Sequence, residues 1–306
     1  MVHLRDLFAR SRRPPESGGT AEAGVAVLEA EPDAPDPAID ADLSQRWPAR
    51  RMAVAEKLWG EGFVAPGGAA EVLRLALPLG LSEAASLLLI GVGTGGPPRV
   101  LADELGVWIS AFGSDPALLA VAAHRIQRAG AAIAKRVNVE PWNPRKPAFR
   151  AHAFHHAVAL DALRDAPVAP VLAALAEAIK PGGQLVLQEL VAHAPLDPDD
   201  PAVAAWCRLE GHSAALPTEA VVTQELQRLR FDIRVLEDQS DRHAGLIVQG
   251  WQELVDWMQA AHPGRAEAQA MVDEAELWAR YIGLLQAGSI RLLRWHAFAP
   301  AAAGAR

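Results

Sequence analysis

Residues 87–102, "LLLIGVGTGGPPRVLA", constrain this chain more than any other stretch. A short apolar strand runs into a glycine-rich turn, and proline opens the helix that follows. Proline suits the first turn of a helix, where N–H groups have no intrahelical partner. Glycines permit a tight turn and close approach of another backbone or a ligand. Gly91, Gly93 and Gly96 fall in a G-x-G-x-x-G frame, the pattern of turns that cradle nucleotide-type cofactors. A glycine-rich turn made only for packing has the same appearance.

The surrounding pattern extends this unit. Helices are expected around Met52–Trp59 and Ala69–Leu79, on either side of the loop "GEGFVAPGG". Strands are then expected at Ser86–Ile90, Val107–Phe112, Arg136–Glu140 and His156–Leu160, with helices at Pro98–Leu105, Pro116–Ala129 and Val168–Ile179. "KPGG" marks a turn before a fifth strand, "GQLVLQEL". Strands alternating with crossover helices imply an α/β, doubly wound Rossmann-like sheet. A helix at Thr218–Leu229, a strand at Phe231–Leu236, two amphipathic helices near 246–260 and 266–285 and the strand "SIRLLRWHAF" close the chain.

Residues 1–45 read differently. Between Ala21 and Leu43 lie seven acids and no base, a composition that cannot bury enough apolar surface to order itself. A disordered arm is expected there and a short disordered tail at 301–306, leaving one domain over 46–300. Leu4, Leu7 and Phe8 with nearby arginines suggest at most a weak membrane-surface contact through residues 1–13. No apolar run approaches the roughly 20 residues of a spanning helix. Net charge −8 argues against a nucleic-acid partner, and the single cysteine, Cys207, excludes an internal disulfide. A cytoplasmic protein is the expectation.

The glycine turn followed by "PPRVLA" resembles the first motif of the class I S-adenosylmethionine (SAM)-dependent methyltransferases, G-x-G-x-G-G-P-x-R-x-L-A. Gly91, Gly93, Gly95, Gly96, Pro97, Arg99, Leu101 and Ala102 match it. "WGEGFVAPGG" is similar to a segment of phosphoethanolamine-type N-methyltransferases. The resemblance implies a seven-stranded sheet with its last strand antiparallel, helical caps at 46–80 and 241–288, and SAM as cofactor. It implies cofactor binding by Gly91, Gly93, Gly95, Asp115, Glu140 and Trp142. It departs from the family at three acidic positions, where Leu89, Gly113 and His155 stand.

Asp161, after the fourth strand, and Glu189, late in the fifth, fall where ligands of such sheets lie and could orient a small amine or lipid-related acceptor. His155 is a further candidate base, because imidazole titrates in the useful range. His152, His155 and His156 lack a carboxylate at ligand spacing, so no metal is expected. Two readings stand: SAM-dependent methyl transfer, or a catalytically silent scaffold or regulatory protein of the same fold. A nicotinamide oxidoreductase is a third.

Overall fold

The computed structural model describes residues 46–301. The expected arm, its surface-contact helix and all but the first residue of the tail lie outside the described residues. The chain opens with α1 (Ala49–Trp59) and α2 (Gly68–Ala76), the latter extended by a 3₁₀ turn over Leu77–Leu79. The first half of the sheet domain is β1 (Ser86–Ile90), α3 (Gly96–Leu105), β2 (Trp108–Gly113), α4 (Pro116–Arg128), α5 (Ala131–Arg136) and β3 (Val137–Pro141). Next come β4 (Phe154–Leu160), α6 (Val168–Ala178), β5 (Ile179–Ala192), α7 (Pro201–Glu210), α8 (Glu219–Arg228) and β6 (Asp232–Asp238). Two long helices, α9 (Ser240–Ala261) and α10 (Arg265–Gln286), precede β7 (Ile290–Phe298).

The seven strands lie in the order β3-β2-β1-β4-β5-β7-β6. β1 to β5 pair in parallel, and β7 runs antiparallel to both β5 and β6. Central β1 explains the apolar run that opened the sequence: Leu87, Leu88 and Leu89 are fully buried, as expected of a parallel strand covered on both faces. Its neighbour β4 and the next strand, β5, contribute Ala157, Ala159, Leu185 and Leu187 to one core cluster, which α6 closes with Val171, Leu172 and Leu175. Trp295, fully buried on β7, sits in the same cluster, and its indole N–H donates to Thr223 Oγ1 on α8 at 3.0 Å.

Two helices, α5 and α7, are absent from the sequence pattern and present in the fold. "KPGG" is a bulge inside β5: pairing with β4 jumps from Phe154↔Ile179 to His156↔Gln184. The glycine at 183 follows from crowding, since a Cβ there would sit 2.3 Å from the His155 carbonyl. The segments expected to cap the site form α1, α2, α9 and α10, and α10 packs against α1 and α7. Among the described residues no helix is long and apolar enough to cross a membrane.

Candidate active site

The carboxyl ends of the parallel strands bring together the glycine turn after β1, Gly113 at the end of β2, Glu140 on β3, and Asp161 after β4. Gly91, Gly93 and Gly95 all take positive φ (102°, 53° and 105°), so the turn needs them for conformation alone. Their surroundings are protein. A Cβ on Gly91 would lie 2.9 Å from Leu160 Cβ, and one on Gly93 2.8 Å from the Gly62 carbonyl. The first of these contacts sets the glycine turn directly beside Asp161.

Gly62 belongs to the loop "GEGFVAPGG" and straps the turn. Its carbonyl accepts the N–H of Thr94 at 3.0 Å and of Gly96 at 2.9 Å. Pro97 and Pro98 bring no N–H, and Arg99 donates to Gly95 at 3.3 Å. The first-turn amides of α3 are therefore engaged or absent, and the positive end of that helix faces the strap. Glu56 on α1 completes the clasp, pairing with Arg125 on α4 through both oxygens and accepting the hydroxyl of fully buried Thr94. Burial would raise the Glu56 carboxyl, but Arg125, Thr94 and the Gly62 amide hold it below its usual range.

The three departures from the family motif have distinct surroundings. Leu89 is fully buried between β2 and β4, paired with Ala111 and Val158. Gly113 is covered by Val92 Cγ2 and Leu119 Cδ1, which would lie 2.9 and 3.0 Å from a Cβ there. Asp115 caps α4, its Oδ1 accepting the amides of Ala117 and Leu118 at 2.9 and 3.1 Å, a favoured role for aspartate at a helix start. Glu140 accepts from Asn138 at 2.5 Å. Trp142 donates its backbone N–H to Gly113 at 3.2 Å and lies 5.9 Å from Phe149, which in turn meets Phe112 edge-on at 4.9 Å.

His155 requires a correction. It is the second residue of β4, at the amino end of that strand, while Asp161 follows its carboxyl end. Six residues of parallel strand place them roughly 20 Å apart. There Nδ1 accepts the Ser86 N–H at 2.9 Å and Nε2 faces Lys180 Nζ at 2.9 Å. Burial and then Lys180 push the imidazole below its usual pKa. His155 is not part of the site.

Asp161 and Glu189 do come together, in different roles. Asp161 takes φ +52° and is 45% exposed at its side chain. Glu189 is buried beneath it, accepting the amides of Ala162 at 2.7 Å and Leu163 at 3.2 Å. Burial, with Asp161 adding repulsion, raises the Glu189 carboxyl. It fixes the turn that presents Asp161.

Sequence reasoning missed the partner of Asp161 and the buried network beyond it. Arg164, three residues on, is buried; its Nε lies 3.3 Å from Asp161 and its Nη1 2.8 Å from Glu210 on α7. Burial would lower the guanidinium pKa, and the two carboxylates more than offset it. Tyr281 on α10 stands 6.3 Å from Trp206, 5.4 Å from Trp278 and 5.5 Å from His243, ring to ring. Glu274 pairs with Arg51 at 2.9 Å and accepts the Trp278 indole N–H at 3.1 Å. The spacing Asp-x-x-Arg and the sole tyrosine of the chain were the available signals. One further loop contact joins Asp165 to His212 Nδ1 at 2.6 Å.

This sheet order, with a glycine turn after the first strand and an antiparallel seventh strand, decides the comparison with known structures. The chain has the fold of the SAM-dependent methyltransferases. The phosphoethanolamine N-methyltransferase 2 of Haemonchus contortus, solved with phosphomonomethylethanolamine and S-adenosylhomocysteine, matches with a TM-score of 0.69 at 20% identity, over 81% of this chain and 57% of that one. A putative sarcosine dimethylglycine methyltransferase from Galdieria sulphuraria matches at 0.65 and 14% identity, over 82% and 98% of the two chains. In sequence, the phosphoethanolamine N-methyltransferase 2 of Caenorhabditis elegans is 28% identical over 134 residues, 43% of this chain and 30% of that protein. The chain thus spans well under two thirds of both phosphoethanolamine methyltransferases. No protein-family model matches the sequence.

Proposed function

We propose that this chain is a SAM-dependent methyltransferase acting on a small amine, in the cytoplasm. The observation that carries the reading is the contact of the glycine turn with Leu160, which sets a partly exposed carboxylate, Asp161, beside the loop that meets the cofactor in proteins of this fold. The relatives lend support to amine methylation and none to the alternative of a silent scaffold.

The residues present suit the nucleoside end of SAM. Glu140 offers an acceptor for the adenine amino group, Trp142 a ring to stack on it, and Asp115, whose cap uses Oδ1, a second oxygen for the ribose. Gly91, Gly93 and Gly95 give the methionine end a backbone wall. No carboxylate at 89 reinforces it and none at 113 grips the ribose, so we expect weaker binding than an acid at both positions would give. A charge-assisted hydrogen bond contributes about 1.5–3 kcal/mol, roughly tenfold to a hundredfold in affinity for each acid absent.

When bound, SAM supplies a methyl group on a sulfonium, open to in-line attack by a neutral amine. The protein supplies position. Glu189 pins the turn through the amides of Ala162 and Leu163, Arg164 holds Asp161, and Asp161 orients the amine. Asp161→Asn removes that charge while Glu210 still pairs Arg164, and an unchanged circular dichroism spectrum checks the fold. Transfer of a labelled methyl group from SAM to a panel of small amines should fall about tenfold to a hundredfold in kcat/KM. Unchanged transfer by the variant would remove Asp161 from the mechanism.

A further inference from the structure

We propose that the acceptor amine carries no phosphate, and that the pairing of Arg164 decides this. The inference rests on the amine-methyltransferase reading and narrows its substrate class. A phosphorylated amine brings a dianion as well as an ammonium group, and the dianion needs a cation that can turn toward it. Arginine is the usual partner because its planar fork matches phosphate oxygens.

Arg164 adjoins Asp161, and its buried guanidinium is hydrogen-bonded to Glu210. Its side chain is 5% exposed, with Asp161 at 3.3 Å, Glu210 at 2.8 Å, and the Trp206 ring 5.4 Å below. Arg51, on the same side of the cap, is drawn to Glu274 at 2.9 Å and to the Glu210 carbonyl at 3.4 Å. Buried Glu189 and buried Glu274 add two more carboxyl groups. A phosphate entering this ground meets either carboxylates or a guanidinium that must first leave one, and breaking a buried pair strands its partner. An ammonium ion meets Asp161, a carboxylate that is partly exposed.

Calorimetric titration of the full chain with ethanolamine and with phosphoethanolamine tests this, since the two differ only in the phosphate. At pH 7.5 ethanolamine should bind at least tenfold more tightly. Glu210→Gln releases one of Arg164's two partners and should narrow that ratio about tenfold, with an unchanged circular dichroism spectrum. Phosphoethanolamine binding as tightly as ethanolamine, or more tightly, to the unaltered chain would overturn the inference. A ratio that Glu210→Gln leaves unmoved would overturn the part assigned to Arg164. Both titrations are done without cofactor, so the acceptor class is decided separately from whether SAM binds.

Discussion

At the scale of single residues, burial and pairing decide what each ionisable group can do. Asp161 and Glu189 differ by one side-chain methylene, yet one is partly exposed beside the glycine turn and the other is sealed under it by two amides. His243 shows the same logic against the rings of Trp278 and Tyr281: burial pushes its imidazole down to about 4, with Glu71 opposing. The unfolded chain therefore binds a proton between pH 6.5 and 4 that the folded chain refuses. Stability is fully present above pH 6.5 and declines as pH falls toward 4, by about 3 kcal/mol at 1.36 kcal/mol per pKa unit. Urea denaturation at pH 7 and pH 4 should show that loss on top of the losses from other groups held low, Glu56 among them, and His243→Phe, which keeps an aromatic ring in place, should shrink the total by about 3 kcal/mol. The same total loss in the variant and the unaltered chain would mean that His243 titrates normally in the folded protein.

Elements are where the sequence was most legible. Buried strands show as apolar runs and amphipathic helices as 3.6-residue stripes, so the order of strands and crossover helices follows from pattern. The helix α5 was lost because "AAIAKR" is too short to show a stripe, and α7 because the stretch between the fifth strand and Thr218 was given no element. Asp200 caps α7 through the amides of Ala202 and Val203, a signal present in the sequence as Asp-Pro. The site was half legible. Asp161 follows a strand end, whereas His155 matched a motif position at the strand's other end, a distinction that a linear motif does not encode. Arg164 gave only the Asp-x-x-Arg spacing, because its partners Glu210 and Trp206 arrive from a helix some 40 residues on. The strap likewise joins distant glycines: a Cβ on Gly96 would lie 2.7 Å from both the Gly62 carbonyl carbon and Phe63. Gly96→Ala should lower stability by about 2–4 kcal/mol. Gly283→Ala, on α10 with nothing within 4 Å of the added methyl, should raise it by about 0.5–1 kcal/mol. Thermal denaturation of the two variants checks both signs, and a strap that yields without cost would show as Gly96→Ala melting with the unaltered chain.

On the scale of the whole molecule, the seven-stranded sheet places a cofactor-type turn and an acceptor-type carboxylate at one edge, under helices drawn from both ends of the described chain. The central claim is that this edge holds SAM through backbone shape, Glu140 and Trp142, without acids at 89 and 113. Titration calorimetry of the full chain with SAM measures it directly, alongside Gly113→Asp, whose Cβ displaces only the ends of Val92 and Leu119. The account predicts saturable binding in the micromolar range, tightened about tenfold by Gly113→Asp. No heat at millimolar SAM from either folded protein would contradict it.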